Sequence, residues 1–353
     1  GMVGNNSCGS HSLVYGSTRD HLIEVELILY DGSIVKFSKI TSEELEGKSN
    51  GFSLESKLYK YFKNLKSDKN LIKLIKSNFP DPEIKRRNTG YAIDILLDVE
   101  NRNEGFNLCN LIAGSEGTLG IITEIKLNLV PSPPKEKVLV CAHCNQLKDA
   151  FKANLIALKH YPMAVELIDS NIIELSKSNI SQNKNRFFIK GEPAAILIIE
   201  FSSDDTKDLE SKILSIEKDL INSDLVYHIS NVFGKDISRV WELRKAGLGL
   251  LSSISGDSKP VSVIEDTAIS PENLPNYMED FSKMLKKYEL NCVYHAHIGT
   301  GELHLRPLLN LKLEKDVEIF RQIALETAFL VKKYRGSLSG EHGDGRLRGE
   351  FIP

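Results

Sequence analysis

Segment 294–306 carries three histidines and an arginine around a glycine-rich stretch. If residues 299–302 form a turn, antiparallel pairing places residue 298 opposite 303, residue 297 opposite 304 and residue 295 opposite 306. Because side chains alternate between the two faces of a strand, one face of this hairpin carries a polar set, His295, His297, His304 and Arg306. Opposed Cβ atoms lie about 4.5–5.5 Å apart, which allows His297 and His304 to bind one metal ion. The other face is expected to pack on the core through Ile298, Leu303 and Leu305.

A second polar pair, Glu341-His342, lies in the glycine-rich segment 339–345. Imidazole and carboxylate groups together suit zinc, manganese or iron(II). We therefore predict a divalent metal site with the ligands His297, His304, Glu341 and His342. The alternative is an ordinary hairpin whose histidines form a polar outer face. That alternative is the default for one histidine, but two opposed histidines beside a third argue against it.

Three glycines spaced by three residues, Gly114, Gly117 and Gly120, precede the β-branched stretch 121–123. This pattern is typical of backbone that approaches a ligand closely, although glycine loops before strands are also common without a ligand. The pattern does not match the G-x-G-x-x-G motif of nicotinamide-binding folds, because a strand rather than a helix follows it.

Two further motifs have open interpretations. Cys141 and Cys144 have three interpretations: half of a zinc site, a redox dithiol, or incidental thiols at the end of a strand. We favour the last. Arg244, three residues after the only tryptophan, either binds a substrate carboxylate or belongs to a solvated helix face.

Composition limits the kind of protein. Of the 353 residues, 41% are hydrophobic and 26% are charged, which argues against disorder. The length suggests about two domains. A net charge of −3 gives no electrostatic reason to expect nucleic acid or an anionic membrane as a partner. The longest apolar run, 194–199, is too short to cross a bilayer, and five scattered cysteines do not suggest a disulfide framework. We therefore expect a cytoplasmic protein.

The prolines of segment 131–134 indicate a domain boundary. Before it, residues 21–30 and 33–37 predict a hairpin around Asp31-Gly32, and residues 121–130 predict a strand. After it, hydrophobic periodicity predicts strands at 138–141, 164–168, 194–201 and 261–264, and helices around 147–158, 209–220, 274–285 and 317–331. The predicted fold class is α+β, with an antiparallel sheet and helices on one face.

Several motifs occur in the order typical of one family: GNNSCG at 4–9, YGSTRDH at 15–21, GSEGTLGIIT at 114–123, Glu265-Asp266, the histidine hairpin and GEHG at 340–343. With these motifs the chain resembles, over essentially its whole length, the FAD-linked oxidase family with the vanillyl-alcohol-oxidase (PCMH) type of flavin fold. The nearest branch is that of the D-2-hydroxyacid dehydrogenases, which includes D-2-hydroxyglutarate and D-lactate dehydrogenases and the glycolate oxidase large subunit. Large members with a C-terminal iron–sulfur domain are the most similar.

The resemblance implies a domain organisation. Residues 1–132 correspond to the second half of a PCMH-type FAD-binding domain, 133–335 to an α+β substrate or cap domain, and 336–353 to the start of a return segment. The first flavin subdomain is expected before Gly4. The chain is therefore expected to be an internal fragment that binds FAD weakly or not at all and is inactive by itself.

The resemblance also implies roles for individual residues. His297, His304 and Glu341 match divalent-metal ligands, with His342 beside them as ligand or base and His295 as the second choice of base. Arg244 and Arg306 are expected to bind substrate carboxylates, and Arg306 stands where the D-2-hydroxyglutarate branch has asparagine, which leaves the substrate preference open. The residues expected to contact FAD are Gly4, Asn5, Asn6, Ser7, Gly9, Gly114, Ser115, Glu116, Gly117, Thr118, Gly120, Ile121 and Ile122.

The implied function is the oxidation of a D-2-hydroxy acid to a 2-oxo acid. In this scheme the metal lowers the pKa of the 2-hydroxyl, an imidazole takes its proton, and hydride passes from C2 to FAD. An iron–sulfur domain or subunit is the expected electron acceptor, and such a partner would also bring the protein to the membrane periphery. Three alternatives remain: an enzyme of the same fold similar to alkyl-dihydroxyacetone-phosphate synthase, a non-catalytic or partner-dependent subunit, and a plain metal-binding domain.

Overall fold

Two antiparallel sheets and their helices make up the part of the chain that the computed structural model describes, residues 1–100 and 105–352. The strands of the first sheet are β1 (Leu22–Ile28), β2 (Ile34–Ile40), β3 (Phe106–Asn107) and β4 (Ile121–Leu127). The strands of the second sheet are β5 (Glu136–Cys144), β6 (Ala164–Asp169), β7 (Ala195–Ser203), β8 (His228–Phe233), β9 (Lys259–Pro260), β10 (Thr267–Ala268), β11 (Cys292–His297) and β12 (Glu302–Leu309). The α-helices are α1 (Ser12–Tyr15), α2 (Ser42–Lys48), α3 (Leu54–Ser67), α4 (Lys69–Asn78), α5 (Ile93–Leu96), α6 (Cys109–Ile112), α7 (Leu147–Leu158), α8 (Ser170–Ser178), α9 (Ile180–Asn183), α10 (Thr206–Asn222), α11 (Asp236–Leu251), α12 (Leu274–Lys287), α13 (Glu314–Lys333) and α14 (Gly345–Arg348).

The first sheet, in the order β3–β2–β1–β4, is built around the predicted hairpin. β1 and β2 pair antiparallel on either side of Asp31-Gly32, which confirms the turn. Val25 and Phe37 are buried in one core cluster with Tyr59 of α3. The strand predicted at 121–130 is confirmed as β4, which lies at the edge of this sheet beside β1.

The second sheet has the order β10–β12–β11–β6–β7–β5–β8, with β9 beside β12. One face packs against α7, α10, α12 and α13, and the other face packs against α8 and α11. The α+β class and the antiparallel sheet are confirmed, but the prediction of helices on one face is wrong. The reason is that β5 is buried at every position from Val138 to Cys144, so both of its faces need an apolar cover.

The predicted strand at 261–264 is also wrong. These residues form an irregular connection between β9 and β10, where Val263 and Ile264 are buried without pairing in the sheet. The apolar run therefore indicated correctly that these residues are buried, but it did not indicate a strand. The other three strands and the four helices predicted after residue 134 are confirmed as β5, β6, β7, α7, α10, α12 and α13. None of the helices in the described ranges combines the length and apolarity needed to span a bilayer.

Gly301 is needed where β11 turns into β12. Its φ is 77°, and a Cβ atom there would lie 1.7 Å from the carbonyl oxygen of Ile269. We expect Gly301→Ala to lower the free energy of unfolding by about 2–4 kcal/mol, because it adds both backbone strain and overlap. Urea denaturation measures this loss.

The matched control is Gly249→Ala in α11, where a Cβ meets no atom within 4 Å. Alanine in that helix should raise the free energy of unfolding by about 0.5–1 kcal/mol. Equal unfolding midpoints for the two variants would contradict the assigned geometry of the hairpin turn.

Candidate active site

The histidine hairpin is formed by β11 and β12, in a register two residues away from the predicted one. His295 pairs with His304, and His297 pairs with Glu302, so the predicted pairing of His297 with His304 is wrong. The difference arises because the four-residue turn, a 3-10 turn at Ile298–Thr300 followed by Gly301, begins one residue earlier than the predicted turn at 299–302. A shift of two residues preserves the faces of the strands. The predicted polar face is therefore present and gains Glu302, while Ile298, Leu303 and Leu305 are confirmed in the core.

One carboxylate oxygen, Oε1 of Glu341, lies close to all three histidines that are predicted to bind metal. Glu341 Oε1 lies 3.2 Å from Nε2 of His342, 3.6 Å from Nε2 of His304 and 3.7 Å from Nε2 of His297. Ligand atoms around a tetrahedral zinc ion, with bonds of 2.0–2.1 Å, lie about 3.4 Å apart. The structure thus brings together all four residues predicted to bind metal. The second oxygen of Glu341 pairs with the buried guanidinium of Arg86.

Asp266 holds the loop that carries Glu341 and His342. Its carboxylate accepts hydrogen bonds from Ser339 Oγ at 2.7 Å and from the backbone N–H groups of Glu341 at 2.7 Å and His342 at 3.0 Å. The N–H of Asp266 donates to the carbonyl of Leu303 at 2.7 Å, next to His304. Asp266 therefore fastens the loop to β12. In the sequence its only signal is its place in one of the family motifs.

Glu166 of β6 lies behind His297. Its Oε1 is 2.7 Å from Nδ1 of His297, while its Oε2 accepts from Arg244 Nε at 2.9 Å. Burial by itself would lower the pKa of His297, but the carboxylate of Glu166 raises it to about 9. Glu166 was missed in the sequence. The signal available was a single acidic residue in the middle of an apolar strand.

Both predicted carboxylate-binding arginines are engaged with buried glutamates. Arg244 forms an ion pair with Glu166, with Nη2 2.7 Å from Oε2, and Arg306 forms one with Glu265. Neither arginine uses all of its N–H groups in these pairs, and the buried Nε of Arg306 has no hydrogen-bond partner in the described residues.

Glu302 is the second carboxyl group that sequence reasoning missed as part of the site. It is fully buried, with Oε1 3.1 Å from Nδ1 of His304 and Oε2 3.6 Å from Nη1 of Arg86. Neither oxygen has an aligned hydrogen bond within the described residues. Burial raises the pKa of Glu302 to about 8. Candidate metal-ligand atoms of His297, Glu302, His304 and Glu341 all lie within 4.8 Å of one another.

The two predicted bases differ in environment. His295 is buried with its ring 4.7 Å from that of His304, and burial keeps its pKa well below the ordinary value. His342 is 40% exposed, and the carboxylates of Glu265 and Glu341 raise its pKa to about 10. Burial also holds the pKa of His304 well below its ordinary range. Two neutral imidazoles, His295 and His304, therefore lie beside two that carry a proton, His297 and His342.

The two segments predicted to contact flavin lie together, beside the loop of Glu341. The N–H of Glu116 donates to the carbonyl of Gly4 at 2.8 Å, and that of Gly114 donates to Val3 at 3.0 Å. The Asn5 amide donates to the carbonyl of Glu341 at 2.8 Å. The distant segments 4–9, 114–118 and 339–345 therefore form one surface.

The individual flavin candidates are not equally accessible. Asn6 and Ser115 are buried, and the Asn6 amide bonds to Asn88 and to the N–H of Arg19. Glu116 accepts from the N–H groups of Asp344 and Gly345. Backbone next to open space occurs at Gly9 and Gly117, while Gly120 packs on Ile28. Among the remaining candidates, the carbonyl of Ser7 accepts a hydrogen bond from Thr18, and the hydroxyl of Thr118 bonds to Tyr91. Ile121 and Ile122 lie on the edge strand β4.

Cys141 and Cys144 are not brought together. Cys141 faces the side of the sheet covered by α11, whereas Cys144 faces the opposite side. Residues three apart in a strand lie about 10 Å apart, too far for a disulfide. The interpretation as incidental thiols fits this geometry, and a shared zinc site does not.

Comparisons with known proteins agree with the predicted family. The model for the FAD linked oxidases, C-terminal domain, matches residues 133–353. The D-2-hydroxyglutarate dehydrogenase of Pseudomonas putida is 30% identical over 360 residues, which cover 100% of this chain and 35% of that protein. Glycolate oxidase subunit GlcD of Bacillus subtilis is 23% identical over 100% of this chain and 61% of its own length. The chain thus spans about a third of the length of the bacterial D-2-hydroxyglutarate dehydrogenases that it matches.

Among solved structures, p-cresol methylhydroxylase with substrate bound superimposes with a TM-score of 0.57 at 10% sequence identity. The alignment covers 99% of this chain and 63% of that one. At this level of identity the likeness concerns the fold, and it confirms the predicted PCMH type.

The ion pair of His297 with Glu166 should make stability depend on pH in metal-free protein. The pKa of His297 in the folded protein, about 9, lies above its ordinary 6.5. The stabilisation is therefore complete below pH 6.5 and is lost as the pH rises towards 9. Urea denaturation with a chelator measures the free energy of unfolding of wild type and of His297→Gln. The difference between the two should fall by on the order of 3 kcal/mol between pH 6.5 and pH 9.

In a Glu166→Gln background the same comparison should lose this pH dependence, because the partner charge is gone. A difference between wild type and His297→Gln that stays constant between pH 6.5 and 9 would contradict the ion pair.

Proposed function

The chain belongs to the FAD-linked oxidase family, and from that premise we propose that it forms part of a flavin-dependent dehydrogenase that oxidises a D-2-hydroxy acid to a 2-oxo acid. The observation that carries the proposal is the convergence of three imidazole Nε2 atoms on one oxygen of Glu341, beside the loop 4–9. Relatives named as dehydrogenases of D-2-hydroxyglutarate and D-lactate support this class of substrate.

Within this proposal the chain has three parts. Residues 1–132 form the second half of the FAD-binding domain, residues 133–335 the cap domain, and residues 336–353 the start of a return segment. This division is supported by the position of the two sheets, which lie before and after the prolines of segment 131–134.

The side chains of the cluster suit a divalent cation such as zinc, manganese or iron. Nε2 of His297 and Nε2 of His304 both lie within 3.7 Å of Glu341 Oε1, and imidazole and carboxylate groups together are ligands that these ions accept. His297, His304 and Glu341 would hold the cation, with His342 as a fourth ligand or as the base. A cation bound there acts as a Lewis acid that lowers the pKa of the substrate hydroxyl.

His342 is the better placed group to take the hydroxyl proton, because its side chain is partly exposed beside Glu341. To accept a proton it must first be neutral, and the carboxylates of Glu265 and Glu341 oppose this because they raise its pKa. A cation held by Glu341 would weaken the effect of that carboxylate on His342. His295 is the second candidate, since burial keeps it neutral.

Arg244 and Arg306 would orient the substrate through its carboxylates. Each is held in place by a buried glutamate, Glu166 or Glu265, and each retains N–H groups outside that pair. A carboxylate that binds these groups gains charge-assisted hydrogen bonds, which are stronger than neutral ones.

The segments 4–9 and 114–122 would contact FAD, which accepts the hydride from C2 when bound. The backbone at Gly9 and Gly117 is open where a side chain would otherwise stand, as a close approach of the cofactor requires. An iron–sulfur domain or subunit as electron acceptor, and a cytoplasmic or membrane-peripheral location, stay predictions.

Replacement of His304 should remove the metal site. We expect zinc-loaded wild-type protein to retain about one ion per chain after gel filtration, and His304→Ala to retain almost none, because two or three ligands bind zinc far more weakly than four. Elemental analysis by mass spectrometry measures the content. His160→Ala, a change at the surface pair with Asp219, is the control and should keep its zinc. Unchanged metal in His304→Ala would refute the assignment.

The activity itself is tested by anaerobic addition of 2-hydroxy acids to FAD-loaded protein in which this chain is combined with the first flavin subdomain expected before Gly4. D-2-Hydroxyglutarate or D-lactate should bleach the oxidised flavin, and the L-enantiomers should not. His342→Gln should slow the bleaching by about 10²–10⁴-fold, as expected for loss of a general base. Binding of the D-acid with no bleaching at all would instead support a non-catalytic, partner-dependent subunit.

A further inference from the structure

The two hairpin histidines of the cluster have the same arrangement of neighbours. Each directs Nε2 towards Glu341, and each has a fully buried carboxylate at Nδ1. For His297 this is Glu166 at 2.7 Å, and for His304 it is Glu302 at 3.1 Å. We propose that Glu302 is the positioning residue of His304, the counterpart of Glu166. This inference rests on the metal site of the proposed function.

The lack of other hydrogen-bond partners supports the pairing of Glu302 with His304. Neither oxygen of Glu302 has an aligned hydrogen bond in the described residues, nor does Nδ1 of His304, and both side chains are buried. An unpaired buried polar group costs about 1–3 kcal/mol. Nδ1 of His304 and Oε1 of Glu302 already lie at hydrogen-bond distance, 3.1 Å apart. Hydrogen bonds at such sites are often poorly aligned until the ligand is bound.

The hairpin and the loop at 339–342 fix where Glu302 can lie. Residues 302 and 304 are on the same face of β12, and Glu302 is opposite His297. A Cβ at Gly340 would lie 2.7 Å from Cγ of Glu302. Gly340 therefore leaves room for the stem of Glu302, and the backbone that carries Glu341 closes over it. The carboxylate is confined beside His304.

Arg86 favours the charged form of Glu302, against the effect of burial. Its guanidinium is wholly buried, with Nη1 3.6 Å from Oε2 of Glu302. The other oxygen, Oε1, is the one that faces His304. One carboxylate thus lies between a fixed cation and an imidazole, with a separate oxygen for each.

The consequence for His304 is a defined tautomer. Donation of the Nδ1 proton to Glu302 leaves the lone pair on Nε2, which lies 3.6 Å from Glu341 Oε1. Outer-shell partners of this kind typically change metal affinity by about 10–100-fold. The competing role is that of a direct ligand, since Glu302 lies within the same 4.8 Å cluster.

The test compares Glu302→Gln with a matched control, Glu200→Gln. Glu200 is equally buried on β7 but pairs with His11, Lys137 and Trp241 instead of the cluster. Zinc affinity is measured by competition with a chromophoric chelator, cobalt(II) absorption reports the ligand set, and imidazole ¹H–¹⁵N spectra report the tautomer of His304. Thermal denaturation verifies that each variant is folded.

We expect Glu302→Gln to weaken zinc binding by about 10–100-fold, with one ion per chain retained, an unchanged cobalt(II) band shape and a shifted Nδ1 proton of His304. Glu200→Gln should match wild type in all three. A band shape that changes with loss of a carboxylate ligand would overturn positioning in favour of direct ligation.

Wild-type zinc affinity and an unmoved His304 signal in Glu302→Gln would also overturn the proposal. If wild-type protein binds neither metal, the proposed metal site fails. The spectrum of the metal-free protein still decides the inference, because it reports the Nδ1 proton of His304 without metal. A proton that is present in wild type and is lost or shifted in Glu302→Gln supports the pairing, whereas its absence from wild type overturns the pairing.

Discussion

Buried charge is the constraint on which this site depends, because a charged group removed from water is stable only when it is paired. Five carboxylates lie in or against the cluster, those of Glu166, Glu265, Asp266, Glu302 and Glu341. Four arginines face them: Arg244, Arg306, Arg348 and Arg86. Among these described side chains the carboxylates exceed the arginines by one. This negative charge is offset by protons on His297 and His342, whose pKa values are both raised, or by a bound cation.

The scaffold divides this task between a rigid and a tethered element. The hairpin β11–β12 is part of a sheet that is covered on both faces, so His295, His297 and His304 are held by packing. The loop at 339–342 is held by hydrogen bonds instead, three of them to the carboxylate of Asp266 and others from the side chains of Asn5 and Asn88. The same return segment reaches the first part of the chain, where Glu116 accepts from Asp344 and Gly345. The segments proposed to bind flavin and the proposed metal ligands are thereby placed side by side.

The sequence predicted the face of the hairpin but not its register, since alternation is insensitive to a shift of two residues and the four-residue turn begins at residue 298 rather than at residue 299. The core strands and helices were predictable from periodicity, whereas the run 261–264 was misread because burial outside a sheet gives the same pattern. Glu166 and Glu302 were missed for a related reason: a single acidic residue in a strand shows its importance only when its buried partners are known. Glu341 and His342 were predicted from their residue types within a glycine-rich segment, and the motif resemblance implied the same two residues, although no local pattern connects them to the hairpin.

The most direct test of the central claim, that imidazoles and Glu341 bind one cation, is X-ray absorption spectroscopy of the zinc-loaded protein. The account predicts only nitrogen and oxygen ligands at about 2.0–2.1 Å, with the outer-shell scattering of at least two imidazoles. A sulfur ligand at about 2.3 Å, or the scattering of fewer than two imidazoles, would contradict it.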